Sequence, residues 1–378
     1  MIQKISVNNY KSLKNIDVEL PQYSIIIGHN GAGKTNLLTL IKLVSLLAKG
    51  KQINDALKNL NLWSNEIFFD QSKPVIEINL ELLIKTNPVV YSVTLSKVDA
   101  NSDLKITKEL LKISGQEILH RENGSPVTIL ENGKSTTTSP IVNNQLAISV
   151  ITIKEIIEIK DYLSSIIVEP FDPSILKSYG NPDKESNTLN SVLAEKLYFL
   201  KNKEPETFNE LQYIFKKMIP TFESVDVEMY PNEGLLLMFK EKNLKNVYRS
   251  FSASNGNLRA MGIISALYGK PKLSSIFIDE IENSLHPSRI KTVMSSLQYV
   301  ASDEKNKIQV VLTTHNPILL DYVTVEQIIY CYNKDGITYL INPYKNKRVK
   351  TYLQQSLEKG VSLKDMFSTG LLEEMFTT

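Results

Sequence analysis

Between Ile25 and Leu38 the chain reads IIIGHNGAGKTNLL. Three β-branched apolar residues run into a glycine-rich turn, then a lysine, a hydroxyl and a helix-patterned stretch. Gly28 to Thr35, GHNGAGKT, satisfies G-x-x-x-x-G-K-[ST] at every position. The pattern demands a buried strand, a loop with its N–H groups turned inward, and a helix whose positive end faces that loop. Such a loop cradles the β- and γ-phosphates of a nucleotide, ATP being the expected one. Lys34 adds a mobile point charge, and Thr35 offers a hydroxyl to Mg2+. Gly28, Asn30, Gly31, Ala32, Gly33, Lys34, Thr35 and Asn36 are the expected nucleotide contacts.

The rest of the chain has to supply a sheet for this strand. Residues 2–27 read as two or three short strands, and Lys34 to Ala48 as a helix with Leu37, Leu38, Ile41, Val44 and Leu47 on one face. From Glu66 to about Leu130 the pattern turns period-two, as in VIEINLELLI and VVYSVTLSKV, and predicts antiparallel strands. Asn123–Gly124 and Asn132–Gly133 mark hairpin turns. A helical middle follows, NTLNSVLAEKLYFLKN and then PETFNELQYIFKKMIP, the second opened by Pro205. Strands return near 222–251. Beyond them NLRAMGIISALYG and PSRIKTVMSSLQYVA read as helices alternating with the buried strands SSIFIDE and IQVVLTTH. That alternation predicts an α/β fold whose parallel sheet is covered on both faces, beside an antiparallel β lobe. The expected division is 1–165 as lobe I, 166–221 as a short helical arm and 222–378 as lobe II, the two lobes forming one head.

Composition narrows the setting. The 378 residues are 42% hydrophobic and 22% charged with net charge +2, so no global field announces a nucleic-acid or membrane partner. Cys331 is the single cysteine, which excludes an internal disulfide and fits a reducing cytoplasm. No apolar run reaches 18 residues, and the N-terminus lacks the apolar core of a signal peptide, so no membrane association is expected. The four histidines and Cys331 show no zinc-ligand spacing.

Three further motifs complete a nucleotide-hydrolysing set. IFIDEIENSLHP, Ile276 to Pro287, is a buried strand ending in two acids. The C-terminal edge of an open α/β sheet is where ligands bind. Asp279 is therefore expected to hold Mg2+, and Glu280 to polarise the attacking water. In VVLTTHNPILL, His315 ends another strand, placed to touch a γ-phosphate. In FSASNGNLRAMGIISAL a Ser-Asn-Gly turn, Ser254 to Gly256, opens a helix and makes a second anion site. One nucleotide has no need of both that turn and the phosphate loop from one subunit.

The arrangement resembles the ATP-binding-cassette class, in which the signature turn of one subunit closes on the γ-phosphate held by the other. Within it the chain looks like the RecF/SMC-like ATPases, including the predicted ATPases of bacterial phage-defence systems such as PARIS and Septu. IQKISVNNYKSLKNIDVEL is similar to their opening strand. SNGNLRAMGIISAL resembles S-D-G-x-L-R, with Asn255 in place of the acid. IDEIENSLHP is similar to I-D-E-P-E-N-G-L-H-P, departing at Ile281 and Ser284, and TTHNPILLD resembles T-T-H-S-P-x-L-L-D. The stretch from VEPFDPSILKSYG to LNSVLAEKL looks like the family's short helical arm. The resemblance implies a RecF-like ATPase head with catalytic Lys34, Glu280 and His315. It also implies Mg2+ at Thr35 and Asp279, and a homodimer or higher homo-oligomer glued by two ATP through Ser254 and Gly256. Asn283 and Ser284 fall where the family's inter-subunit loop lies. The family also senses Mg2+ and water with a glutamine on the first lobe; Gln145 is the candidate here and Gln71 its rival.

The output is open to several readings. One is a sensor or effector ATPase of anti-phage defence, working with a separate nuclease or toxin. Another is a DNA-repair or chromosome-maintenance clamp, for which YKNKRVKTY, Tyr344 to Tyr352, offers a basic, aromatic-flanked contact to DNA or RNA, or else a solvated charged turn. A transporter motor would carry a second adjacent glycine in the signature turn. A non-catalytic scaffold would have a vestigial site, yet each core catalytic residue type is in place.

Overall fold

A computed structural model describes residues 1–378 apart from 99–101, 123–125, 132–133, 138–140, 184–191, 269–272, 304–306, 372–373 and 375–378. The chain begins with β1 (Ile2–Tyr10), β2 (Leu13–Glu19) and β3 (Tyr23–Ile27), then α1 (Lys34–Ala48) and α2 (Ile53–Asn59). The period-two region gives β4 (Val75–Ile84), β5 (Asn87–Ser96), β6 (Lys105–Ile113), β7 (Gln116–Glu122), β8 (Thr128–Glu131) and β9 (Lys134–Thr137). Next come α3 (Lys154–Ser164), β10 (Ile167–Glu169), α4 (Pro173–Leu176), α5 (Leu193–Lys203) and α6 (Pro205–Met218). The remainder is β11 (Phe222–Tyr230), β12 (Gly234–Glu241), β13 (Tyr248–Arg249), α7 (Asn255–Ala266), β14 (Ser275–Ile278), α8 (Pro287–Ser302), β15 (Gln309–Thr314), β16 (Ile328–Lys334), β17 (Ile337–Ile341), α9 (Lys347–Glu358) and α10 (Leu363–Ser368).

Two compact units form. The first comprises residues 1–168, 274–279 and 309–378; the second comprises 169–273 and 280–308. This differs from the contiguous lobe II, 222–378, expected from sequence order. Strands β14, β15 and β16 are drawn into the sheet around β3, which takes their residues into the first unit. The arm region shares its unit with β11–β13, α7 and α8.

In the first unit an eight-stranded sheet runs β2-β1-β4-β5-β6-β7-β8-β9, and each adjacent pair is antiparallel. Alternation explains it: β4 buries Ile76, Ile78, Leu80 and Leu82 while the intervening positions stay more open. The Asn123–Gly124 and Asn132–Gly133 turns lie outside the described residues, though the strands flanking them pair antiparallel. A six-stranded sheet runs β10-β14-β15-β3-β16-β17. There β14, β15, β3 and β16 are parallel neighbours, and β17 returns antiparallel. β3 and β15 are buried at every position, as strands covered on both faces must be. Gln309, fully buried at the start of β15, accepts from the Ile2 N–H at 2.8 Å and donates to the Ile2 carbonyl at 2.7 Å, tying the two sheets together.

In the second unit β11, β12 and β13 form an antiparallel sheet. Its core includes Leu211, Phe215, Phe222, Leu236, Leu258 and Ile263, with Phe215 and Phe222 edge to face at 6.1 Å. α5 begins at Leu193; the start of the longer helix expected from Asn187 lies outside the described residues. Among the described residues no helix is long and apolar enough to cross a membrane.

Candidate functional site

Strand register assembles the first half of the site. β15 pairs with β3 so that Thr314 faces Ile27, and with β14 so that Leu312 faces Ile278. Asp279, Thr314 and Gly28 therefore lie within two register positions of one another at the same C-terminal sheet edge, and the Gly28 N–H donates to the Thr314 carbonyl at 3.3 Å. His315, exposed, is the next residue off β15.

The loop itself is a nest. Gly31 (φ 79°) and Gly33 (φ 103°) take left-handed conformations, which turn successive N–H groups inward. α1 then starts at Lys34 with no acid in its first turn, so its positive end stays uncompensated. The Lys34 ammonium donates to the carbonyls of Gly28 at 2.6 Å and His29 at 2.9 Å. Thr35 Oγ1 donates to Asp279 Oδ2 at 2.9 Å, and Thr313 Oγ1 donates to the other carboxylate oxygen. A hydroxyl and a carboxylate within hydrogen-bond reach are the hard oxygen donors that suit Mg2+.

Several residues that position this loop carry no motif. Thr338 Oγ1 donates to the Ala32 carbonyl at 2.8 Å and bonds Ser12 Oγ at 2.7 Å; Asn36 Nδ2 donates to the same Ser12 oxygen at 2.7 Å. Cys331 sits behind the loop, and burial pushes its thiol up to about 12, so it stays protonated and is no nucleophile. Phe367 of α10 stacks on His29 with ring centroids 5.6 Å apart. Nothing in the sequence announces Ser12 or Thr338, whose role arises from chain segments more than 300 residues apart meeting at the loop.

The glutamine assignment needs correction. Gln145 Nε2 donates to the Gly50 carbonyl at 3.0 Å, just beyond the C-terminal end of α1. Thr35 is at the opposite end of that 15-residue helix, about 22 Å away at 1.5 Å per residue. The cause is a buried clamp. Arg121 donates to the carbonyls of Ile141, Val142 and Gln145 and to Asn143 Oδ1, while Glu109 accepts from the N–H groups of Ala147 and Ile148 and from the Tyr91 hydroxyl. Gln71, the rival, is exposed. Its loop is held by Asn9, whose amide bonds both Asp70 main-chain groups and the carbonyls of Lys73 and Val75. The β1–β2 turn just beyond Asn9 carries Ser12, which touches Asn36.

In the second unit, Glu280 directly follows Asp279 and takes a left-handed conformation, φ 45°. Its carbonyl accepts from Arg259 at 2.8 Å and its carboxylate from Asn283 Nδ2 at 2.7 Å. Ser254 is the N-cap of α7 and its hydroxyl makes no cap bond, while Gly256 lies against Ser284: a Cβ there would be 2.4 Å from the Ser284 carbonyl oxygen. Ser284 is left-handed too, φ 58°. The basic run expected as a turn is instead a 3-10 turn, Pro343–Lys345, followed by α9. Lys345 pairs with Glu19, and the Lys350 ammonium lies 3.8 Å from the Tyr344 ring centroid.

The nest and the Thr35–Asp279 pair at the C-terminal edge of a sheet of this order are the arrangement expected of an ABC-type ATPase head. Residues 24–321 match the family described as "AAA domain, putative AbiEii toxin, Type IV TA system". The chain belongs to that family and is an ATPase. It is 23% identical to an "ATP/GTP phosphatase" of Helicobacter pylori, over 94% of this chain and 98% of the relative. It is 22% identical to the "Retron Vc95 probable ATPase" of Vibrio cholerae, over 91% of this chain and 76% of that one. Among solved structures an SMC head, crystallised with the C-terminal winged-helix domain of ScpA, superposes with TM-score 0.58 at 16% identity. The match covers 90% of this chain and 97% of that one, and shows a common fold.

Proposed function

We propose that this ATPase closes as a head-to-tail pair on two ATP, each phosphate loop facing the partner's Ser254–Gly256 turn. It then acts in the cytoplasm as a sensor or effector ATPase of a bacterial anti-phage system beside a separate nuclease or toxin. The observation that carries the catalytic part is the Thr35–Asp279–Thr313 hydrogen-bond chain, which fixes the metal-type donors at the mouth of the loop. Thr35 and Asp279 would hold Mg2+, which when bound would neutralise charge on the phosphates. Lys34 binds the β- and γ-phosphate oxygens. Glu280 takes a proton from water as the water oxygen bonds the γ-phosphorus and the bond to the β,γ-bridging oxygen breaks; ADP and phosphate leave. His315 contacts the γ-phosphate, and Gln71 remains the candidate for the sensing role.

The defence reading is supported by the retron relative and by the toxin–antitoxin description of the family. The repair-clamp reading gains less, because Lys345 and Lys350 of the basic run are engaged within the chain. The test is a phage-plaque assay on cells carrying the gene with its genomic neighbours. Wild type lowers plaque counts, and Lys34→Ala and Glu280→Gln abolish protection. Equal plaque counts with and without the wild-type gene across a broad phage panel overturn the defence reading.

A further inference from the structure

α7 carries two kinds of residue. Ser254 at its start is exposed, while Gly256 is buried against Ser284 and Arg259, 3% exposed, points back into its own subunit. Arg259 Nη2 donates to the Glu280 carbonyl at 2.8 Å, and the Asn283 N–H donates to the same oxygen at 2.9 Å. The Asp172 carboxyl is held down by Ser174 first and by Arg259 among lesser causes. Burying a guanidinium is costly unless its donors are used, so a mere space-filler here would be apolar. What this one holds is a glutamate in a left-handed conformation that non-glycine residues rarely adopt unaided. Around it Gly256 presses on the Ser284 carbonyl, and Arg289 Nε of α8 donates to Asn257 Oδ1 at 2.7 Å, so the first turn of α7 is held against both the Glu280–Ser284 turn and α8.

We propose that Arg259 is a positioning residue for ATP hydrolysis, holding the Glu280 main chain so that the carboxylate is aimed at water only when α7 is seated. It rests on the reading of Glu280 as the water-polarising residue. Because Ser254 and Gly256 lie on the same helix, their engagement with a partner's nucleotide is transmitted through Arg259 to the subunit's own Glu280.

The experiment compares Arg259→Met, which fills the space without donors, with Arg259→Lys, which keeps one, in wild-type and Glu280→Gln backgrounds. Arg259→Met is expected to lose about ten- to a hundredfold in kcat, the loss of a charge-assisted hydrogen bond, with KM for ATP unchanged. Arg259→Lys retains most of the rate. In the Glu280→Gln background Arg259→Met brings no further loss, since both act through one carboxylate. Wild-type kcat in Arg259→Met, equal rates for the Met and Lys variants, or losses that multiply in the double variant overturn the proposal. If Arg259→Met does not fold, Arg259→Gln takes its place: a lowered kcat at constant KM that vanishes in the Glu280→Gln background supports the proposal, and a wild-type rate or a multiplicative loss overturns it. A wild-type rate in Glu280→Gln would remove the Glu280 reading itself, whereas a slow Glu280→Gln with multiplicative losses removes only this inference.

Discussion

Lys34 spends its ammonium on two carbonyls of the loop it must serve, Gly28 and His29, and so stands ready over the nest. Each charge-assisted contact it makes with phosphate is worth about 1.5–3 kcal/mol. Lys34→Ala should therefore weaken ATP binding by roughly ten- to a hundredfold or more. A fluorescent ATP analogue titrated against both proteins measures it, and equal affinities would unseat the phosphate-loop assignment. Gly28 is constrained differently: a Cβ there would sit 1.9 Å from the Cys331 carbonyl oxygen. Gly28→Ala must push β16 away from the loop and should cost about 1–3 kcal/mol of stability, read as a lowered denaturant midpoint. A midpoint equal to wild type would mean the close approach of Cys331 is relieved without cost. The glycine pattern was legible in the sequence as a motif; its reason at Gly28, a strand 300 residues downstream, was not.

At the scale of elements, period and punctuation carried far. Bare apolar runs gave β3, β14 and β15, alternation gave β4 to β7, and Pro205 opened α6 as expected. Two failures share a cause. The charge pattern of YKNKRVKTY reads as a turn, yet α9 forms because Val349 and Leu353, four apart, are buried on one face. Gln145 reads as a free polar residue, yet its segment is clamped by Glu109 and Arg121, whose pairing across β6 and β7 only the register reveals. Burial raises the Glu109 carboxyl, and the donors from Ala147, Ile148, Tyr91 and Arg121 oppose that shift. Glu109→Gln removes the counter-charge while Arg121 stays buried. It should destabilise by about 3 kcal/mol, more than a surface pair could, and free the 141–148 segment for faster amide exchange. Unchanged stability and exchange would show that the clamp is idle.

At the scale of the whole molecule, the start of α7 exposes Ser254 and its uncapped N–H groups. Ser254 leaves its hydroxyl off the α7 cap, and the first N–H groups of the helix have no intrahelical acceptor. On the proposed head-to-tail closure a partner's γ-phosphate would supply the missing charge, and ATP would be part of the subunit interface. Glu280→Gln keeps shape and hydrogen bonding but removes the carboxylate that takes the proton, so it should bind ATP with Mg2+, hydrolyse it slowly and accumulate as the closed pair. Ser254→Arg keeps its phosphate loop and should bind ATP normally, yet it sets a bulky cation where the partner's γ-phosphate must sit. It should neither close nor hydrolyse. Mass alone would mislead if resting heads already associate through other surfaces, so the measurement is a distance between spin labels on the two subunits, with and without ATP. The label distance should shorten with ATP in wild type, stay short in Glu280→Gln, and remain long in Ser254→Arg. A Ser254→Arg protein that closes and hydrolyses like wild type would mean that the signature turn does not act in trans, and that whatever dimer this ATPase forms is held by surfaces other than its nucleotide.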